Sequence, residues 1–308
     1  MTLILALSGK GTVFMASDRL IAEVSGKPFD PLANKNVIYF ARDAVVSIGY
    51  TGIAFIGKIP TDQWIVEQLR GEKFPQSKPL MGLMFGKTKQ HLDIGQSIRT
   101  LVNGLRPVLQ MSPVKEFGLI AVGWKFKKNK LAAPIGWFVT SDSRAKLKFG
   151  TTKRNWHLSG SDLRFNAMPA SNFSKEYSQA LKQRLLQCQS SQAVEDELVG
   201  AIRLVSKTIP KWVGPDCMSI FLNNPNKGAL IRVRYCPNGQ SVLVSRQTKS
   251  VIPVAFSPWI LSPRITIAPS VMVGGWETRI GLFRIVQDAP APTEGVIAAL
   301  APLKRRIP

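Results

Sequence analysis

Thr2 directly follows the initiator methionine, and this position gives one residue two groups that can do chemistry. A small second residue such as threonine permits removal of Met1, which would leave Thr2 with a free α-amine. An N-terminal threonine combines a nucleophilic hydroxyl with a base, because the unperturbed pKa of an α-amine is about 8. The sequence therefore offers a nucleophile that needs no histidine.

Other kinds of catalytic site find less support in the sequence. Residues 52–58 (GIAFIGK) fit the start of a phosphate-binding loop, but Ile59 stands where a magnesium-binding Ser or Thr is needed. The chain has two histidines and no GxSxG motif, so a Ser-His-Asp hydrolase is not favoured. Two histidines and three scattered cysteines supply no zinc ligand set, and we expect neither a metal nor another cofactor.

The elements that must position Thr2 begin at Thr2 itself. Residues 2–8 and 12–18 (TLILALS, TVFMASD) predict two strands joined by a tight glycine turn. Two more strands are predicted at 36–41 and 44–49, which gives a four-strand antiparallel opening. Thr2 would therefore be held rigidly at the edge of a sheet.

The rest of the chain alternates helix pairs with strands. Apolar residues at helical spacing predict helices at 62–69, 94–109, 174–187 and 193–205, and strands at 117–124, 134–139, 218–222 and 229–235. This order predicts the α+β class, with a four-layer αββα sandwich as the simplest packing. Prolines punctuate short β-rich pieces after about residue 249, so we predict a main domain over 1–236 and a C-terminal β-rich extension over 237–308.

A family resemblance extends this interpretation. Residues 2–19 (TLILALSGKGTVFMASDR) resemble the first hairpin of proteasome β-type subunits and their bacterial relatives, the N-terminal-nucleophile (Ntn) hydrolases. Asp18 matches that family's early acidic residue, and Lys35 lies within one residue of its catalytic lysine. Residues 50–54 (YTGIA) resemble its Ala-Gly-Leu-Ala segment, and residues 158–161 (LSGS) resemble its Gly-Ser-Gly-Ser turn. The motifs occur in the family's order over residues 2 to about 236.

The resemblance implies a mechanism that centres on Thr2. The Thr2 hydroxyl would attack a carbonyl carbon of the substrate. Lys35, as an ammonium ion beside Thr2, would favour the neutral amine and the developing alkoxide through its charge. Asp18 would pair with Lys35 and orient it.

The remaining motifs would supply the surroundings of this nucleophile. The backbone N–H of Gly52 would stabilise the oxyanion, an interaction whose loss costs about 10² to 10³ in rate in other enzymes. Ser159 and Ser161 would form hydrogen bonds near the Thr2 amine. Tyr50 occupies the position that forms the floor of the family's specificity pocket, which predicts a shallow or polar-tipped pocket.

The sequence also departs from the family. The second Asp of the family, with its Ser-Gly pair, falls near residues 210–214 (PKWVG), where this chain has neither the Asp nor the Ser. Asp216 is a displaced candidate for that role. Leu158 stands where the family has glycine.

The composition restricts the possible partners and the compartment. The 308 residues include 41 Lys and Arg against 19 Asp and Glu, a net charge of +22. The net charge is +4 over residues 1–100, +8 over 101–200 and +10 over 201–308, so it accumulates away from Thr2. We therefore expect an acidic substrate or partner, and no nucleic acid because no RNA-binding motif with interleaved aromatics is present.

The compartment follows from further patterns. No apolar run approaches the roughly 18 residues of a membrane-spanning helix. The cysteines form no close pair, and residues 3–7 are too short for the apolar core of a signal peptide. These patterns predict a cytoplasmic protein that does not enter a membrane.

Three functions are compatible with these patterns. The leading prediction is a threonine-type Ntn hydrolase that cleaves amide or peptide bonds and assembles as a homo-oligomer, as the resemblance implies. A peptide ligase or transpeptidase, like the connectase relatives of the proteasome, would pass the same acyl-enzyme to an amine. The third is an inactive proteasome-like scaffold whose basic surface binds polyanions.

Overall fold

The computed structural model describes residues 2–9, 11–22, 25, 28–30, 33–75, 80, 82–114, 116–127, 130–151, 164–168, 175–238, 242–244, 251–253, 255–272 and 275–288. Two large sheets and four α-helices account for most of these described residues, so the predicted α+β class is confirmed. Strands and helices are numbered below in chain order. None of the described helices has the length and apolar character needed to cross a bilayer.

The first large sheet holds the start of the chain. Its seven strands, in spatial order, are β13 (Arg164–Met168), β1 (Ile4–Ser8), β2 (Thr12–Asp18), β14 (Cys217–Asn223), β15 (Leu230–Cys236), β23 (Phe283–Asp288) and β22 (Trp276–Ile280). All neighbours are antiparallel except β15 and β23.

The second large sheet has eight strands. In spatial order they are β12 (Leu147–Thr151), β11 (Lys130–Ser141), β10 (Gly118–Lys127), β6 (Ala44–Thr51), β5 (Asn36–Phe40), β19 (Trp259–Leu261), β20 (Thr266–Ile267) and β9 (Met84–Phe85). Strand β19 pairs with β5 in parallel, and the other neighbours are antiparallel. Strands from the C-terminal part of the chain therefore enter both large sheets.

Short hairpins and four helices complete the described fold. The hairpins pair β3 (Ile21–Ala22) with β4 (Pro28–Asp30), β7 (Phe55–Ile56) with β8 (Ile59–Pro60), β16 (Val242–Val244) with β17 (Val251–Pro253), and β18 (Ala255–Phe256) with β21 (Val271–Met272). The helices are α1 (Thr61–Arg70), α2 (Ile94–Met111), α3 (Lys175–Gln187) and α4 (Ser191–Thr208). Each overlaps a helix predicted from apolar spacing.

Three apolar clusters bury the faces of these elements. One contains Ile4 and Met15 of the first sheet together with Ile38 and Trp124 of the second, so the two sheets pack face to face. Another packs α1 and α2 on the outer face of the second sheet, and the third packs α3 and α4 on the outer face of the first. Burial of both faces explains why strands such as β1 and β6 read as nearly continuous apolar runs.

The four opening strands differ from the prediction in one respect. Each predicted pair forms an antiparallel hairpin, but β1 and β2 belong to the first sheet whereas β5 and β6 belong to the second. The hairpins face each other across the core instead of lying side by side. This arrangement brings the start of β1 and the end of β6 to one end of the molecule.

Candidate active site

The β1–β2 hairpin places Thr2 and Asp18 together. Its register pairs Ile4 with Ser17, so the next positions outward bring Leu3 opposite Asp18. The backbone N–H of Asp18 donates to the Leu3 carbonyl at 3.2 Å. Thr2 therefore lies at the open end of the hairpin, one residue beyond this pair, and it is almost fully buried.

The Asp18 carboxylate collects four hydrogen bonds. Oδ1 accepts from the backbone N–H of Leu3 at 2.8 Å. Oδ2 accepts from the backbone N–H groups of Leu20 and Gly214, both at 3.1 Å, and from Lys35 Nζ at 3.0 Å. The side chains of Asp18 and Lys35 are 0% and 1% exposed. Charge-assisted bonds thus replace water around this carboxylate and tie Lys35 to the chain next to Thr2.

Lys35 is a buried ammonium group that is paired with the buried carboxylate of Asp18. Its Nζ donates to Asp18 and to the carbonyl of Leu20. Burial lowers the pKa of Lys35 below its ordinary value, and the charges of Asp18 and Asp30 act in the opposite direction. A lysine whose pKa is lowered in this way releases its proton more readily than an exposed lysine does.

Thr51 links the two sheets at Thr2. The Thr2 backbone nitrogen donates to Thr51 Oγ1 at 3.2 Å, and the Thr51 hydroxyl donates to the Thr2 carbonyl at 3.1 Å. Thr51 was not among the site residues predicted from the sequence, although strand alternation could have identified it. Val45 on the same strand faces the first sheet while Val46 faces the helices, so the odd positions through Thr51 point toward β1.

Gly52 has a backbone conformation that favours glycine. Its φ is +96°, and a Cβ built on it would lie 2.2 Å from the carbonyl oxygen of Glu116. Gly52 directly follows Thr51, so its peptide unit lies close to Thr2. The fold requires glycine here whatever part the Gly52 N–H plays in catalysis.

The substitution Gly52→Ala is expected to destabilise the protein more than Gly57→Ala. Both glycines have positive φ, so both alanines carry a conformational cost of about 1–2 kcal/mol. A Cβ at Gly57 meets nothing within 4 Å, whereas a Cβ at Gly52 meets backbone. Urea unfolding of the two variants measures the difference, and equal losses would contradict the predicted clash.

The other predicted residues have different outcomes. Ser159 and Ser161 lie outside the described residues. The segment where the family has its second Asp instead provides the Gly214 N–H that binds Asp18. Asp216 accepts a hydrogen bond from the backbone N–H of Asn238. Burial lowers the pKa of the neighbouring Arg19, and the charge of Asp216 acts in the opposite direction.

A cavity of about 330 Å³ opens beside this cluster. Tyr50 lines it, as do residues of β4, α1 and the C-terminal part of the chain; the lining is Ile21, Asp30, Ala33, Asn34, Tyr50, Phe55, Pro60, Asp62, Gln63, Leu80, Phe256, Trp259 and Pro269. The Tyr50 hydroxyl donates to the Asn34 carbonyl at 3.0 Å, and burial raises the pKa of Tyr50 well above its ordinary value. Tyr50 is therefore a neutral part of the wall.

Known proteins resemble the chain in fold. No protein-family model and no curated protein matches the sequence. Among solved structures, the chain is similar to Anbu, an ancestral beta-subunit, from Yersinia bercovieri (12% identity, TM-score 0.45) and to an Anbu (Gly-1) mutant from Hyphomicrobium sp. strain MC1 (10%, 0.44), over 72% of this chain and 82% of each. It is also similar to eukaryotic HslV from Trypanosoma brucei (15%, 0.39), over 72% of this chain and 99% of that one. All three TM-scores are below 0.5, so these likenesses support no statement about the activity of this chain.

Proposed function

We propose that this protein is a threonine-type Ntn hydrolase that cleaves amide or peptide bonds with Thr2 as its nucleophile. The observation that carries the proposal is the Asp18 carboxylate, which binds both the Leu3 N–H next to Thr2 and the ammonium group of Lys35. A buried ion pair is costly to desolvate, and a lysine at this place gains nothing for packing that an apolar residue would not provide. Its charge beside a potential N-terminal amine is useful for catalysis.

The proposed reaction begins when Met1 has been removed. The free amine of Thr2 takes the proton of the Thr2 hydroxyl as Oγ1 attacks the substrate carbonyl, and the Gly52 N–H binds the resulting oxyanion. The amine then protonates the leaving amine, the C–N bond breaks, and an ester joins the substrate to Thr2. Water, activated by the same amine, hydrolyses this ester and restores the enzyme.

The surrounding residues hold the reacting groups in place. Lys35 favours the neutral form of the α-amine by its positive charge, and Asp18 fixes Lys35. Thr51 anchors the backbone of Thr2 on both sides. The family resemblance implies that Ser159 and Ser161 would form hydrogen bonds near the Thr2 amine. We further propose self-association and a cytoplasmic location, with a basic surface that attracts an acidic substrate or partner.

Intact-mass spectrometry of the purified protein tests the proposal. We expect a mass that lacks Met1 and, after incubation with a peptide epoxyketone, one covalent adduct, because this reagent reacts with both the hydroxyl and the amine of an N-terminal threonine. Retention of Met1 together with the absence of an adduct would contradict the proposal that the protein is an enzyme. Product analysis with an added amine separates the two acyl-transfer reactions, since a ligase would form a new amide where a hydrolase forms an acid.

A further inference from the structure

The C-terminal part of the chain forms one side of the cavity beside Tyr50. Phe256, Trp259 and Pro269 form one side of it, and Tyr50 and Asp62 form another. Strand β19, which carries Trp259, is fixed by parallel pairing with β5. The Asn34 side chain also donates to the carbonyl of Ser257. The cavity is therefore built within one chain, from segments far apart in sequence.

The cavity is next to the proposed nucleophile. Tyr50 adjoins Thr51, whose hydroxyl binds Thr2, and the Tyr50 N–H donates to the Lys35 carbonyl at 3.2 Å. Asn34, which lines the cavity, adjoins Lys35. A substrate whose carbonyl carbon lies at Thr2 would therefore place a neighbouring side chain in or near the cavity.

Asp62 is a buried carboxyl group in the lining of the cavity. Its side chain lines the cavity in the first turn of α1, and the residue is 6% exposed. It accepts hydrogen bonds from the Gln63 N–H at 2.9 Å and from the Trp259 side chain. Among the residues that the structure describes, no Lys or Arg pairs with it. Burial raises the pKa of Asp62 to about 7, and the charge of Asp30 acts in the same direction.

The second carboxylate of the cavity, Asp30, is in a different position. Burial lowers the pKa values of Arg19 and Lys35, and the charge of Asp30 acts in the opposite direction on both, which places Asp30 in the field of two buried cations. No described Lys or Arg compensates Asp62 in this way, so a cation that enters the cavity would remove the cost of an isolated buried charge. The other walls are mostly apolar and aromatic, and they suit an aliphatic stem.

We propose that this cavity binds a lysine or arginine side chain of the substrate next to the scissile bond, with Asp62 as the residue that determines specificity. The inference rests on the proposed function, because it takes Thr2 as the reacting group. The aliphatic part of the side chain would lie between Tyr50 and Trp259, and its cationic end would bind the Asp62 carboxylate. A charge-assisted pair of this kind discriminates by about ten- to a hundredfold.

Paired peptide epoxyketones test the specificity. Two reagents that differ only in arginine or leucine at the terminal side chain are compared by the rate of adduct formation at Thr2. We expect the arginine reagent to react at least about tenfold faster. Asp62→Asn should abolish this preference, and Glu67→Gln, a buried carboxyl on the same helix but outside the cavity lining, should keep it. Equal rates, or a faster reaction of the leucine reagent, would contradict the proposed specificity for a basic side chain. The proposal that the protein is a hydrolase would not be affected.

The pH dependence of the rate ratio adds a second readout. Both reagents react with the same Thr2, so their ratio cancels the titration of the amine and of Lys35. The groups that face Asp62 are Asp30 and Tyr50. Because the pKa of Asp62 is about 7, the preference for arginine should increase from pH 6 to pH 8 as the carboxylate ionises. A ratio that stays constant over this range would contradict the role of Asp62.

A binding experiment separates this inference from the reaction. The Trp259 indole N–H, which contacts Asp62, is observed by ¹⁵N NMR and assigned through Trp259→Phe, while n-butylguanidinium is added to Thr2→Ala protein. We expect its resonance to shift with this cation and not with uncharged n-pentanol, and to remain fixed in the double variant with Asp62→Asn. If no epoxyketone reacts but the resonance shifts, the proposed hydrolase function is wrong and the proposed binding of a cation in the cavity is supported. A resonance that does not shift would contradict the proposal that the cavity binds a cation.

Discussion

Replacement of Asp18 by alanine is expected to lower the free energy of unfolding by about 3–5 kcal/mol, because it leaves the ammonium group of Lys35 buried without its partner. The same change removes the acceptor for three backbone N–H groups, those of Leu3, Leu20 and Gly214. Lys35→Met should cost less, since these three donors remain on Asp18. Urea unfolding at pH 7, followed by circular dichroism, measures both variants.

A double-mutant cycle checks that the ion pair causes the loss. The double variant Asp18→Ala/Lys35→Met should be more stable than the sum of the single losses predicts, by about 1–3 kcal/mol. As a control, Arg42→Ala breaks the exposed ion pair with Asp93, in which the arginine side chain is 59% exposed, and should cost no more than about 1 kcal/mol. Additive losses at Asp18 and Lys35 would show that the two groups do not interact as described.

The second large effect is expected at Thr2. Once a substrate has been found, Thr2→Ala should lower kcat/KM by about 10⁴- to 10⁶-fold, because it removes the nucleophile of a covalent mechanism. Thr2→Ser keeps the hydroxyl and the amine and should retain measurable activity. Circular dichroism of both variants confirms that the fold is unchanged, since the hydrogen bonds of Thr2 to Thr51 use backbone atoms of Thr2.

The amine can be tested apart from the hydroxyl. A lysine inserted between Met1 and Thr2 prevents removal of Met1, because that removal needs a small second residue, and it keeps the Thr2 nitrogen within a peptide bond. This variant should be as inactive as Thr2→Ala although its hydroxyl is intact. Full activity in either variant would rule out Thr2 as an N-terminal nucleophile.

Local patterns predicted the elements better than their assembly. The two apolar runs around the glycine turn in 2–18 and the helical spacing in 94–109 correctly indicated a hairpin and a helix, because each pattern depends on local burial. The first two hairpins belong to different sheets because of the way their apolar faces pack together. Both hairpins are apolar on both faces, so either face could form the contact. Local sequence carries no information that decides this pairing.

The candidate site was predictable to the extent that family motifs mark it. Asp18 and Lys35 are brought into contact as the resemblance implied, although their catalytic roles remain a prediction. Thr51 was not predicted because it lies inside the motif of residues 50–54, in which only Tyr50 and Gly52 were assigned a role. Asp62 looks like an ordinary acidic residue in the first turn of a helix, and only the packing of Trp259 against it shows that it lines a cavity.

The hydrogen bond between Asn34 and Ser257 joins positions 223 residues apart. The wall that Trp259 contributes can therefore meet Tyr50 only after most of the chain has left the ribosome, since such distant contacts form late. A nascent chain would already carry Thr2, Asp18 and Lys35 while the cavity beside them was still open on one side. Binding of a substrate side chain in the proposed cavity would therefore begin only when synthesis of the chain is nearly complete.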